Sequence, residues 1–101
     1  MMLRLLDNVK TLVKTELDLA NEQHPMFSSN HEGYAVIHEE VEEAYDEMIR
    51  IEYYDGLLWG DVKEDESVEE DADEIERHAI RCACECIQVA AMCEKIKMGK
   101  L

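Results

Sequence analysis

Apolar residues recur at steps of three and four along almost the whole chain, a period that predicts helices. Leu3, Leu6, Val9, Leu12, Val13, Leu17 and Ala20 open the series and mark a helix from about residue 3 to about residue 23. It ends at His24-Pro25, because proline cannot continue the backbone ladder and restricts the residue before it. A second helix opens at Ser28-Ser29-Asn30, where Ser29 and Glu32 have the spacing of a capping box. Its apolar stripe is Ile37, Val41, Ala44, Met48 and Ile51, which carries it to about Tyr54 and a stop near Asp55-Gly56. Leu57, Leu58 and Trp59 then suggest a turn or a short extra helix. A third helix runs from about Val68 to about Lys97, with Ile75, Cys82, Cys86, Val89, Cys93 and Ile96 as its core line. Arg81, Glu85, Gln88 and Met92 fall on the edge of that line. The acids from Glu69 to Glu74 suit the first turns of this helix, and Lys95, Lys97 and Lys100 suit its last, by the helix dipole.

These elements predict an all-α fold, one domain over residues 1–101. Three main helices would form most of a four-helix-type bundle. A chain of 101 residues buries a modest core. The leftover apolar edges therefore call for oligomerisation, as a homodimer or homotetramer, with Leu3 to Ala20, Tyr34 and Tyr45 as candidate contacts.

Charge narrows the partners. Ten basic residues against 25 acidic ones give a net charge of −15. Such a surface argues against nucleic acid, whose phosphate backbone is gripped by Lys/Arg patches. A phosphorylated small molecule is compatible if a divalent cation bridges the like charges. No window approaches the ~20 apolar residues that span a bilayer, and the first residues lack a secretory apolar stretch. A cytoplasmic protein with reduced thiols is expected.

The chemistry concentrates in Glu39-Glu40-Val41-Glu42-Glu43. Glu40 and Glu43, with Glu47 one turn on, share a helix face that borders the apolar stripe. Carboxylates crowded at the edge of a core repel, and a hard cation such as Mg2+ relieves them through oxygen ligands. Glu85 and Gln88 supply a matching edge on the third helix if the two pack antiparallel. A solvated acidic face is the simpler account of such a cluster in so acidic a chain. Arg81, one turn before Glu85, is placed either to pair with it or to reach a substrate phosphate. Cys82, Cys86 and Cys93 lie along one helical line rather than around turns, so they read as buried thiols and not as a zinc site. No Glu is followed by His at the third position, which argues against a carboxylate-bridged di-iron bundle. His78 lies toward the Glu85 side and His38 away from Glu40. Trp59 is a packing anchor or a platform for a nucleobase.

The stretch Phe27 to Met48, FSSNHEGYAVIHEEVEEAYDEM, with Glu85-Cys86-Ile87-Gln88-Val89-Ala90-Ala91-Met92, resembles the small MazG-like proteins of phages and prophages. That group is similar to the all-α nucleoside triphosphate pyrophosphohydrolases, and the likeness covers the second and third helices. It implies an EExxE element at Glu39 to Glu43 and an ExxD element at Glu85 to Gln88, with Gln88 standing where the family has Asp. By this resemblance Glu40, Glu43 and Glu85 hold Mg2+, or Mn2+, and carry catalysis. Gln88 is a neutral fourth ligand that cannot act as a base, and Arg81 meets phosphate. The implied reaction is metal-assisted cleavage between the α- and β-phosphates of a nucleoside triphosphate, giving the monophosphate and pyrophosphate. The second reading left open is a non-catalytic helical oligomer that binds nucleotide or protein.

Overall fold

A computed structural model describes residues 2–99. Ser29 is the N-cap of the second helix: its hydroxyl accepts the Glu32 amide at 3.1 Å, and Glu32 Oε1 accepts the Ser28 amide at 2.9 Å. The first bond satisfies a donor that a helix start would otherwise leave bare, and the second ties the residue before the cap to the first turn. Three helices result, α1 Met2–Gln23, α2 Asn30–Lys63 and α3 Glu69–Met98, with no strand among the described residues. The chain is all-α, as the apolar period predicts.

The length of α2 departs from expectation. It does not stop at Asp55-Gly56 but runs through Gly56 and Gly60 to Lys63. A mid-helix glycine costs only about 1 kcal/mol. The packed line Ile51, Tyr54, Leu58, Asp61 continues across it, each of the four half-buried. The stop comes at Asp65, which takes a left-handed backbone with φ of 55°. Its amide donates to Val62 O at 3.3 Å, and the Glu66 amide donates to Asp61 O at 2.8 Å. These are the two bonds of a Schellman ending, here with aspartate where glycine is usual. The acids Glu69, Glu70 and Asp71 fill the first turn of α3.

α3 is the central element. α2 packs along it and α1 covers a smaller part of it, while α1 and α2 do not pack on each other. The result is an elongated slab, 59 × 30 × 19 Å. Because α3 is flanked on two sides, its buried positions differ from the cysteine line read from the period. Cys82 is buried, but Cys86 is exposed. Met92 and Ala91 are buried instead, with His78 and Lys95. Lys95 does not sit free in the last turn: its Nζ lies 4.8 Å from the Phe27 ring centre. Lys97 pairs with Glu94 at 3.0 Å; Lys100 lies outside the described residues. α1 buries no residue fully, and Leu3, Leu5, Leu12 and Leu19 are exposed. No described helix is long and apolar enough to cross a membrane.

Candidate metal centre and its neighbouring cleft

The α2–α3 seam is antiparallel, and its register sets the site. Gly33 meets Ile96, the Cys82 thiol donates to Ala44 O at 3.5 Å, Glu47 meets His78, and Asp61 meets Asp71. Partner numbers in such a seam sum to a nearly constant value, so Glu43 on α2 must face Glu85 on α3. Glu40, Glu43 and Glu85 each place a carboxylate oxygen so that all three lie within 4.8 Å of one another. Glu40 and Glu85 are half-buried and Glu43 is exposed.

At that spacing the carboxyl groups of Glu43 and Glu85 are both disturbed. Contact with Glu85, then its like charge, raises the Glu43 carboxyl above the ordinary carboxylate value. Burial raises Glu85, with the contact and charge of Glu40 adding. Both shifts are those of a site that wants a counter-charge, whether a proton or a cation. The donor set, oxygen only, is of the kind that suits a hard cation such as Mg2+ or Mn2+. Among the described residues, no cysteine or histidine joins a cluster able to hold an ion, and all four cysteines are free thiols.

The other residues singled out in the sequence are distributed around this centre. Gln88 is tied to α1: its Nε2 donates to Glu16 Oε2 at 2.7 Å. Glu16 is thus a carboxylate beside the fourth position that the α2 and α3 patterns could not reveal, because the α1–α3 register is not written in either helix. Arg81 is exposed, with Nε 3.6 Å from Glu47 Oε1. Trp59 is not brought to the cluster. It follows Glu43 by 16 residues, roughly 24 Å along the helix, and it is 61% exposed with Lys63 Nζ 5.5 Å from its ring.

One turn from the carboxylates lies an open cleft of about 590 Å³. His78 and Glu47 form its floor, joined at 2.6 Å from Nδ1 to Oε2. That bond is the first cause that holds the Glu47 carboxyl below the ordinary carboxylate value, so it stays ionised. The ionised carboxylate accepts from Nδ1–H, and the other ring nitrogen, Nε2, lies 3.4 Å from Arg77 Nη2 and 3.6 Å from Glu74 Oε2. Tyr54 stacks on the His78 ring, 5.8 Å between centres. Arg50, Tyr53, Arg77 and Arg81 complete the walls. The constant-sum register gives the signal that finds this group: once Glu43 faces Glu85, Glu47 must face the Arg81 and His78 turns. Arg50 and Arg77 carried no such signal of their own. No known protein family matches the chain, and no curated protein and no solved structure shows significant similarity to it.

Proposed function

We propose that the protein is a divalent-cation-dependent nucleoside triphosphate pyrophosphohydrolase, cleaving between the α- and β-phosphates. The observation that carries this reading is the meeting of Glu40, Glu43 and Glu85 across the α2–α3 seam, oxygens within 4.8 Å. These three carboxylates would hold Mg2+ or Mn2+. When bound, such an ion supplies charge neutralisation for the triphosphate and for the scissile phosphorus. Arg81 stands one turn before Glu85 and presents its guanidinium to a phosphate oxygen. Glu47 keeps Arg81 on the cleft side of α3 through their 3.6 Å ion pair.

A second reading is favoured by Gln88. Its Nε2 is held by Glu16, and as an amide Gln88 itself offers neither a charge nor a base. A helical module that binds a metal nucleotide without hydrolysing it needs neither. Both readings are compatible with assembly into a homodimer or homotetramer. Cys82, Ala91 and Met92 are the buried hydrophobic residues among those described, while Tyr34, Val41, Tyr45 and Met48 stay exposed along α2.

The test is pyrophosphate release across a panel of ribo- and deoxyribonucleoside triphosphates with Mg2+ or Mn2+. Turnover that disappears in Glu40→Gln and Glu43→Gln supports the hydrolase. A thermal shift with metal plus a non-hydrolysable nucleotide, without turnover, supports the binding module. Turnover that survives both substitutions removes this site from the reaction.

A further inference from the structure

The chain is acidic nearly everywhere, with a net charge of −15, yet three of its four arginines line one cleft. Arg50, Arg77 and Arg81 meet two carboxylates there, Glu47 and Glu74. Among these paired groups the arginines outnumber the carboxylates three to two. The arginines are also under-used. Arg77 makes a short bond to Glu74, 2.7 Å. Arg81 and Arg50 stand 3.6 and 3.9 Å from the same Glu47 oxygen, too far for a hydrogen bond. Each guanidinium has five N–H donors, so most remain free. All three side chains are more than half exposed, between 52 and 60%. Glu47 cannot turn to satisfy them, because His78 holds its other oxygen.

We propose that this cleft is an anion site that takes the phosphate group of a phosphorylated small molecule between Arg50, Arg77 and Arg81, with no metal required. A planar guanidinium fork matches phosphate oxygens in pairs. The opening, about 590 Å³, is far larger than one phosphate. Tyr53, exposed and edge-on to Tyr54 at 5.1 Å, offers a ring for the organic part of the ligand. The rest of the acidic surface repels a long polyanion, which selects a small ligand over nucleic acid. Arg50 and Arg77 are assigned here without any appeal to hydrolysis; Arg81 alone is shared with the reading above.

The probe is inorganic pyrophosphate, titrated calorimetrically into the full chain in low-salt buffer containing EDTA. The expected result is saturable binding. It weakens at least tenfold in Arg77→Gln and in Arg50→Gln. It is unchanged in Lys63→Gln, which removes the same charge from α2 at a position outside the cleft. Circular dichroism melts confirm that each variant folds. Arg50, which makes no short hydrogen bond, keeps the test valid if Arg77→Gln unfolds. Absence of saturable binding in EDTA overturns the proposal. So does equal weakening in Lys63→Gln, which is the result for diffuse attraction. Pyrophosphate bound by a protein with no turnover defeats the hydrolase and leaves the anion site. Turnover without metal-free pyrophosphate binding does the reverse.

Discussion

Replacing Gly33 with alanine tests the α2–α3 seam on which the whole site depends. Gly33 is buried at the start of α2. A Cβ built there lies 2.6 Å from Ile96 Cδ1, 2.9 Å from Ile96 Cγ1 and 3.0 Å from Phe27 Cδ2. Comfortable carbon contacts are about 3.5–4.0 Å, so something must move by roughly half an ångström or more. Cδ1 is a chain end and can swing away. Cγ1 is closer to the backbone, and the Phe27 ring is held under Lys95 Nζ. Overpacking of this kind costs about 1–3 kcal/mol. Alanine returns up to about 1 kcal/mol of helix propensity. The net expectation is a loss of up to about 2 kcal/mol. Gly56 and Gly60 are the internal controls, since a Cβ at either meets nothing within 4 Å. Alanine there should gain about 0.5–1 kcal/mol each. For a chain near this length 1 kcal/mol is about 4–8 °C in Tm. Gly33→Ala should therefore melt well below Gly56→Ala at one fixed protein concentration, held constant because assembly would shift the midpoint. Gly33 precedes Glu40 by seven residues, about 10 Å of helix. Opening the seam there should also shrink the thermal shift produced by Mg2+, an effect absent in Gly56→Ala. If Gly33→Ala is as stabilising as Gly56→Ala, the helices do not approach as described, and the convergence of Glu40 on Glu85 falls with it.

Two further predictions concern the α2–α3 turn. Asp71 is 8% exposed and its Oδ2 has no hydrogen-bond partner; contact with Asp61, then burial, pushes its carboxyl up to about 6. Its folded value lies above the ordinary aspartate value, so the fold holds this proton more tightly than the unfolded chain does. Its contribution is full below about pH 4 and lost as pH rises through about 6. Asp61→Asn removes the like charge and supplies a donor, so it should raise Tm at pH 7 and flatten the pH 4–6 slope relative to the parent. An unchanged slope in denaturation curves across that range would refute the pairing. Asp65→Gly relieves the left-handed backbone at the end of α2 and should raise stability in urea by about 0.5–1 kcal/mol; a loss would mean the aspartate side chain holds the turn.

Much of the fold was legible because local rules act locally. The Ser29–Glu32 box and the His24-Pro25 break needed only neighbouring residues, and both stand where the sequence puts them. The end of α2 was not legible. The glycines at 56 and 60 are weak stops when packing continues through them, and the real stop is an aspartate in a conformation that glycine usually signals. The cysteine line failed at Cys86 alone, for a different reason. Periodicity reports which residues of α3 are apolar, not how many neighbours the helix has or on which sides. With α2 and α1 on separate flanks, Met92 and Ala91 are covered and Cys86 is not.

The site divides along the same boundary. The sequence by itself determined that Glu40, Glu43 and Glu47 share a face, that Arg81 and Glu85 share another, and that Gln88 brings no charge. These are consequences of a 3.6-residue turn and of side-chain chemistry. Tertiary structure decided what faces what. It set the register that joins Glu43 to Glu85 and Glu47 to His78, delivered Glu16 to Gln88 from α1, left Trp59 remote from the carboxylates, and gathered Arg50 and Arg77 beside Arg81. A helix fixes angles around its own axis, but the offset between two helices comes from packing at a few points such as Gly33 against Ile96, which no pattern within either helix records.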